Sequence, residues 1–268
     1  MQCSPYHYRF FEQHGTCFSK SQLINIAKSI NVRYTNTKKQ DLWRRINTKM
    51  LGVCEDANEH CWLAQTNKDH HFNAHVPKQP VSWTNDQRTW LTNVDILNVM
   101  VQYEKKHSKF KFFGVFPIDF AEKYGMSQCI SMELCNLNLN KLKNHTQFGC
   151  VFNLDKHYQS GSHWVSVFFN TDKSQPNYGF YFFDSTSSKI PVEILNFAKS
   201  VQKQVADPSS FRIHQNVVQK QFKNTECGMF SLHFIIECLK NKPFVDIVNN
   251  PFYDDDVHKL RNKLFRKK

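Results

Sequence analysis

The stretch that decides the fold is HWVSVFFN at 163–170, which is followed after a polar connection by GFYFFD at 179–184. Both segments are short and rich in Val and Phe, as the strands of a buried sheet are. The connection TDKSQPNY contains a proline, and it predicts an antiparallel hairpin with a long loop. In such a hairpin the first residue of one strand lies beside the last residue of the next, so His163 and Asp184 should meet at one end of the sheet.

A carboxylate beside an imidazole can hold one ring N–H, fix the tautomer and stabilise the imidazolium. A matching nucleophile stands in NTECGMFSLHF at 224–234, where Cys227 begins a strongly apolar predicted helix. The positive end of a helix dipole stabilises a thiolate, and His163 would stabilise it further as its base. The Cys227 backbone N–H and the Gln221 side-chain amide could donate to a developing oxyanion. Each residue alone has an ordinary structural explanation, and the combination predicts the catalytic set His163, Asp184, Cys227 and Gln221.

Around this hairpin the hydrophobic pattern is α+β from Trp83 onward. Further strands are predicted at 148–154 and 211–218. Helices are predicted at 89–106, after Pro191, at 227–240 and from Asp254. The apolar face of the first of these helices is expected to carry Val94, Leu97 and Val101.

Residues 1–52 predict a small helical module that precedes the α+β region. The stretch from Ser19 to Gln22 has the pattern of a capping box, and the stretch from Thr37 to Gln40 has it again. Apolar residues with helical spacing follow each box: Leu23, Ile26, Ala27 and Ile30 after the first, and Leu42, Ile46 and Met50 after the second. Residues 53–80 look irregular, and we predict a linker or arm there, with the main domain at 81–268.

The net charge of +12 is confined to two segments. Residues 1–50 hold nine Lys and Arg against two acids, and residues 257–268 hold six and no acid. Localised positive charge points to a polyanion partner such as DNA, with plain solubility as the alternative. The candidate nucleic-acid-binding residues are Lys38, Lys39, Arg44 and Arg45.

Nine cysteines at irregular spacing, without a CxxC motif, fit a disulfide scaffold poorly, so we expect reduced thiols in a cytosol-like compartment. A zinc site that uses Cys3, Cys17, Cys54, Cys61 or His60 would match no common ligand spacing. We therefore expect free structural cysteines, no metal and no cofactor. The chain has no apolar run near the roughly 18 residues that cross a bilayer and no secretory signal, which predicts a soluble intracellular protein without a membrane partner.

The ordered set H-W, F-D-S and Q-x5-C-G resembles the ubiquitin-like-protein proteases, a group that includes the SUMO proteases and the adenovirus protease. Here the set consists of His163-Trp164, Phe183-Asp184-Ser185 and Gln221 through Cys227-Gly228, and Trp90-Leu91 matches an upstream Trp-Leu motif. The resemblance covers roughly residues 83–240. It implies a papain-like cysteine protease core of this type, although in papain the catalytic cysteine comes before the histidine in the sequence.

The resemblance also implies a narrow substrate channel between two tryptophans, which would admit glycine and exclude larger side chains. Trp164 and Trp90 occupy those positions. Both could instead be core aromatics, and Trp83 is an alternative equivalent of Trp90.

WLTNVDI, SGSHWVSVFF and KNTECGMFSLHFI resemble more closely the polyprotein-processing proteases of large DNA viruses, including African swine fever virus. Residues 19–50 also resemble a SAP-type helical module, a fold often used on DNA. The resemblance implies cleavage of viral core or structural polyproteins after Gly-Gly-like motifs, in the virion and the host cytoplasm. Asp184 stands where the viral relative has Asn, and either residue can orient an imidazole.

Two other functions remain open at this stage. The same active site would serve a protease that removes a ubiquitin-like modifier from its conjugates. A nucleic-acid-binding virion protein with an inactive protease fold is the alternative from another class, and the complete catalytic set argues against it.

Overall fold

The computed structural model describes residues 2–66, 74–125 and 128–267. The chain divides into two compact units. The first unit comprises residues 1–78 together with 263–268, and the second comprises residues 79–262. Part of the predicted linker, residues 67–73, lies outside the described residues. Another part is regular, because residues 59–65 form a helix whose Trp62 is fully buried.

The first unit is built from four helices around a small apolar core. They are α1 (Tyr8–His14), α2 (Lys20–Ser29), α3 (Lys39–Met50) and α4 (Glu59–Gln65). The predicted capping box at the start of α2 is confirmed, because the Ser19 side chain accepts from the Gln22 backbone and the Gln22 side chain accepts from the Ser19 backbone. The second predicted box is wrong. Lys38 is the N-cap of α3 and makes no side-chain cap, while the Thr37 hydroxyl donates to the Thr35 carbonyl.

The apolar stripes of α2 and α3 face the core, and the cations of these helices face outward, as the sequence predicted. Lys39 is an exception: its side chain is half-buried, and burial lowers the pKa of its ammonium group. The exposed cations are Lys20, Lys28, Arg33, Lys38, Arg44, Arg45 and Lys49. Their exposure is compatible with binding to nucleic acid, which stays a prediction.

The expectation of reduced cysteines is wrong for six of the nine. The described residues contain the disulfides Cys3–Cys17, Cys54–Cys61 and Cys129–Cys135. Irregular sequence spacing conceals these pairs, because folding brings their Cα atoms to 5.2, 5.8 and 6.3 Å, within the range for disulfides. The free cysteines are Cys150, Cys227 and Cys238, and all three are buried.

A five-stranded sheet forms the centre of the second unit, in the order β1-β4-β5-β6-β7. Its strands are β1 (Phe110–Pro117), β4 (Gln147–Asn153), β5 (Trp164–Asn170), β6 (Gly179–Phe183) and β7 (Ile213–Gln215). The short strands β2 (Lys123–Tyr124) and β3 (Gln128–Cys129) form a separate antiparallel pair. The predicted hairpin is confirmed, because β5 and β6 pair antiparallel with Ser166 opposite Phe183 and Asn170 opposite Gly179. The two outer pairings, β1 with β4 and β6 with β7, are parallel.

Helices α7 (Val192–Gln202) and α8 (Cys227–Leu239) cover opposite faces of this sheet. The other helices described after α4 are α5 (Asn93–Lys106), α6 (Met132–Cys135), α9 (Phe244–Asn249) and α10 (Asp254–Leu264). On one face Phe197 of α7 packs into a phenylalanine-rich cluster with Phe169 and Phe180. On the other face Phe234 of α8 stacks on Phe183 of β6, and the centres of the two rings are 4.9 Å apart. No helix in the described part of the chain is long and apolar enough to cross a membrane.

The predicted apolar face of α5 is wrong. Val94, Leu97 and Val101 are 56%, 42% and 44% exposed, whereas the adjoining stripe with Ile96 and Val99 is buried. The sequence of α5 carries two interleaved apolar stripes, and periodicity alone does not say which one packs. The helix lies against β1 and α8 with the second stripe.

A buried ion pair ties α10 to the start of α8. Arg261 Nη2 lies 2.8 Å from Glu226 Oε2, and the two side chains are 2% and 3% exposed. The Arg261 guanidinium also donates to the Thr89 carbonyl and lies 4.4 Å from the centre of the Trp83 ring. Because Glu226 directly precedes Cys227, this pair fixes the point at which α8 begins.

We predict that Arg261→Ala lowers the free energy of unfolding by about 3–5 kcal/mol, because the buried Glu226 carboxylate loses its guanidinium partner and keeps only the contact with the His258 ring among the side chains described. Urea denaturation measures the loss. The matched control is Lys259→Ala on the same helix, whose pair with Asp256 is exposed and should change stability by no more than about 0.5 kcal/mol. Equal losses in the two variants would contradict the prediction.

Candidate active site

The hairpin brings His163 and Asp184 together at one end of the sheet. His163 directly precedes β5 and Asp184 directly follows β6. His163 Nε2 lies 2.7 Å from Asp184 Oδ1, which is hydrogen-bonding distance. The Asp184 side chain is only 1% exposed, so the juxtaposition expected from the sequence is present and shielded from water.

Two further residues hold Asp184 in place, one at its carboxylate and one at its backbone. Its Oδ1 accepts from the backbone N–H and the hydroxyl of Thr186, at 2.8 and 2.9 Å. The Asn216 side-chain amide, just beyond β7, pairs with both the N–H and the carbonyl of Asp184. Burial raises the pKa of Asp184, but the hydrogen bonds from His163 and Thr186 and the charge of His163 outweigh it, so the pKa lies below its ordinary value. Asp184 is therefore ionised at neutral pH.

Cys227 is the first residue of α8, as predicted, and it is buried beside His163. Since Nε2 of the imidazole bonds to Asp184, Nδ1 is the ring nitrogen left to face the Cys227 sulfur. Burial lowers the pKa of His163, but the hydrogen bonds to Asp184 and Cys227 and the charges of both raise it to a net value of about 9. The site thus favours a protonated imidazole next to the sulfur.

Gln221 is buried and firmly held. Its Oε1 accepts from the Ser185 hydroxyl at 2.7 Å, and its Nε2 donates to the Lys223 carbonyl at 2.6 Å. The Ser185 carbonyl also accepts from the backbone N–H groups of Lys220 and Gln221. These contacts fix the side-chain amide and leave one of its two N–H groups for another acceptor. They do not by themselves direct that group at Cys227.

The Trp-Leu motif packs against the start of α8. The buried Trp164 donates from its indole N–H to the Leu91 carbonyl at 2.9 Å. A Cβ on Gly228 would lie 3.1 Å from the Leu91 Cβ and 3.2 Å from Trp164 Cδ1, so the glycine allows this close approach. Trp90 is 40% exposed, whereas Trp83 is buried beneath Arg261, and the buried position favours a structural role for Trp83.

The sequence did not reveal three residues that hold the site residues in place. Thr186 and Asn216 hold Asp184, and Ser185 holds Gln221. Ser185 belonged to the quoted F-D-S motif, and Asn216 to a predicted strand. A signal was present in both cases, because a polar residue beside a buried strand end needs a hydrogen-bond partner. Single polar residues at such positions are too common to single out without coordinates. The candidate nucleic-acid-binding residues lie in the first unit and take no part in this site.

Comparison with known proteins gives one relative that spans nearly the whole chain and one that matches part of it. A thiol protease of Acanthamoeba polyphaga mimivirus is 26% identical over 302 aligned residues, which cover 98% of this chain and 93% of the relative. The SUMO-1 cysteine protease of African swine fever virus is 29% identical over 126 residues, 44% of each chain. No family model matches the chain.

A crystal structure of the African swine fever virus protease superimposes with a TM-score of 0.71 at 18% sequence identity. The superposition covers 100% of this chain and 96% of that one, so the likeness in fold extends over both units. The expected α+β fold with a helical N-terminal part is therefore confirmed. The resemblance first drawn from the residues is confirmed as well: the chain is a cysteine protease, homologous to these viral thiol proteases.

Proposed function

We propose that this chain is an endopeptidase that cleaves viral core or structural polyproteins after small-residue motifs such as Gly-Gly. In this proposal Cys227 is the nucleophile, His163 is its acid and base, and Asp184 orients His163. One observation carries it: Asp184 lies 2.7 Å from Nε2 of His163, and the Cys227 sulfur at the start of α8 is close enough to raise the pKa of the same ring. The viral thiol and cysteine proteases similar to this chain support the assignment to a viral protease.

The reaction would proceed by covalent catalysis. The Cys227 sulfur attacks the carbonyl carbon of the scissile bond, and the His163 imidazolium protonates the leaving amine as the C–N bond breaks. Water, deprotonated by His163, then hydrolyses the thioester and releases the new carboxyl end. The Cys227 backbone N–H lies at a helix start, where it has no intrahelical acceptor, and with Gln221 it would donate to the oxyanion.

The preference for small residues would follow from close packing around the start of α8. Trp164, Leu91 and Gly228 are already in contact there, so little space remains for a substrate side chain beside the sulfur. A backbone without side chains would pass, as Gly-Gly does. In this proposal the enzyme works in the host cytoplasm and in the virion.

A protease that acts on a ubiquitin-like modifier is the second candidate. The African swine fever virus relative bears the name of a SUMO-1 protease, and the same site would serve both reactions. The two functions differ in what they require of the substrate. A modifier protease depends on docking of a folded partner, whereas a polyprotein protease reads an extended segment.

We predict that Cys227→Ser and His163→Ala each lower kcat/KM by on the order of 10⁴-fold or more, because the three residues act as a unit. Asp184→Asn should lose less than Asp184→Ala, since an amide oxygen still accepts from the imidazole. Cleavage of a Gly-Gly-X peptide is the assay, with circular dichroism to verify folding. Cys238→Ala, which removes another free buried cysteine of α8, is the control and should retain activity. Appreciable turnover by folded Cys227→Ser would refute the assignment.

The pH dependence follows from the raised pKa of His163. A pKa of about 9 keeps the imidazolium through neutral pH, so kcat/KM should fall as pH rises through about 9 and the proton is lost. Asp184→Ala removes a hydrogen bond and a negative charge that raise this pKa, so the titration should move to lower pH. NMR titration of the His163 ring measures this even in inactive variants. An unchanged pKa of His163 in Asp184→Ala would show that the Asp184 carboxylate does not raise that pKa.

We predict that Gln221→Ala lowers kcat by roughly 10²–10³-fold with little change in KM, as a donor to the oxyanion should. Ser185→Ala should also lower kcat, but by a smaller factor than Gln221→Ala, because the Ser185 hydroxyl acts only by holding the Gln221 amide. The double variant should lose no more than Gln221→Ala alone, which a double-mutant cycle tests. Ser174→Ala, in the exposed hairpin loop, is the control. Fully additive losses would show that Ser185 acts independently of Gln221.

Substrate profiling decides between the two candidate functions. We expect the enzyme to cleave unstructured peptides with Gly before the scissile bond and to reject Leu there, and we expect Trp164→Ala to relax this preference. Trp164→Phe keeps a ring but loses the hydrogen bond to Leu91, and should retain more of the preference. Equal cleavage of Gly and Leu substrates by the parent enzyme would contradict the predicted narrow channel. Cleavage of folded modifier fusions alone would establish the second candidate.

A further inference from the structure

The core of the first unit holds a cluster of metal-binding side chains that the protease reaction does not use. The Cys17 sulfur, a Glu59 carboxylate oxygen and a His75 ring nitrogen all lie within 4.8 Å of one another. Cys3 joins them through its disulfide with Cys17. All four residues are buried. Thiolate, imidazole and carboxylate are the three ligand types that zinc uses in proteins.

Four separate segments of the chain build this cluster. Cys3 and His75 stand opposite each other in an antiparallel bridge, flanked by hydrogen bonds from Ser4 N to the Ala74 carbonyl and from Val76 N to the Gln2 carbonyl. Residues directly opposite in such a bridge project their side chains to the same side. Cys17 comes from the turn before α2, and Glu59 is the first residue of α4. This dispersal explains why no ligand spacing was visible in the sequence.

The Glu59 carboxylate is the electrostatic reason to expect a cation here. Its side chain is 0% exposed, inside an apolar core. Its hydrogen-bond donors are neutral: the Trp43 indole at 2.6 Å and the Cys17 backbone N–H at 3.1 Å. His75 Nε2 lies 3.4 Å from the same oxygen that accepts from Cys17. A buried carboxylate is costly unless a positive charge or metal compensates it.

The surroundings suit the charge of a metal site with two thiolates. Zinc bound to two thiolates and one carboxylate leaves one net negative charge. The His60 ring lies 6.0 Å from that of His75. The cations near the cluster are Lys39, which acts electrostatically on Glu59, and Arg266 and Lys78, which act on His60. Positive charge there would offset the extra negative charge and favour the thiolate form of the cysteines.

We propose that Cys3, Cys17, Glu59 and His75 bind one zinc ion when the Cys3–Cys17 disulfide is reduced. A thiol reductant supplies two electrons, the S–S bond breaks, each sulfur takes a proton, and the reductant becomes a disulfide. Zinc then displaces both thiol protons. With Zn–S bonds of about 2.3 Å, the two sulfurs move to about 3.8 Å apart in a tetrahedral site. Four protein ligands leave no open position, so the site is structural and replaces the link that the disulfide makes.

This inference does not rest on the proposed protease function, and its test does not depend on cleavage. The full chain is reduced with a phosphine, stripped with a chelator, mixed with one equivalent of zinc and desalted, and the retained metal is measured by mass spectrometry. We expect about one zinc ion per reduced chain and less than about one tenth per oxidised chain. Cys227→Ser should retain the metal, which separates this site from zinc captured by the candidate catalytic cysteine.

Alkylation of the unmodified protein locates the metal without relying on the folding of a variant. In the reduced chain, zinc should protect Cys3 and Cys17 from alkylation and leave Cys54 and Cys61 reactive. The latter pair is the matched control, because it forms the other disulfide of the first unit. Protection of Cys54 and Cys61 instead, or of neither pair, would overturn the proposal.

Substitution of the carboxylate supplies a second, independent criterion. Glu59→Gln keeps an acceptor for Trp43 but removes the charge, and it should weaken zinc binding at least about 10-fold. Cobalt can replace zinc as a probe, and two thiolate ligands would give sulfur-to-metal charge-transfer bands that Cys17→Ser diminishes. Full zinc affinity in Glu59→Gln, or an unaltered cobalt spectrum in Cys17→Ser, would show that the metal binds elsewhere.

Discussion

A single buried carboxylate, that of Asp184, organises the active end of this enzyme. A charge so well shielded from water is costly unless donors meet it. Its donors are His163 from the neighbouring strand and Thr186 from the turn that follows, and they bond to the same oxygen, Oδ1. Asn216, at the edge of the sheet, holds the Asp184 backbone instead. The contact that stabilises Oδ1 therefore also positions the imidazole.

The cysteine side of the site is fixed by a different kind of constraint. The start of α8 packs closely against Leu91 and Trp164, and a Cβ at position 228 would lie only 3.1 Å from Leu91 and 3.2 Å from Trp164. Glu226, the residue before Cys227, is held by Arg261 in a buried ion pair. Close packing and a buried charge pair thus hold the sulfur on one element, while the sheet holds the imidazole on another. Preorganisation of this kind places the two groups near each other without costly rearrangement.

Local patterns in the sequence were enough to predict the hairpin, the helix that begins at Cys227 and the meeting of His163 with Asp184. These features depend on turn chemistry and on short strands rich in Val and Phe, which neighbouring residues determine. The exposed stripe of α5 and the absent cap at Thr37 were mispredicted, because tertiary packing chose between local options of similar merit. The role of Asn216 was out of reach because its partner Asp184 is 32 residues away, and only the folded chain brings the two together. The cysteine partners are 14, 7 and 6 residues apart, and these irregular spacings do not say which of the cysteines pair.

The first unit is discontinuous, since residues 263–268 belong to it together with residues 1–78. Lys78 pairs with Arg266 in a parallel bridge, and the backbone N–H of Arg266 donates to the Pro77 carbonyl. On a ribosome, the helices around Phe18 and Trp62 emerge early, but their last partner segment emerges only after the entire second unit has been synthesised. The first unit can therefore be completed only after Cys227 and every strand of the sheet have been synthesised. A chain interrupted within the second unit would carry an unfinished helical module.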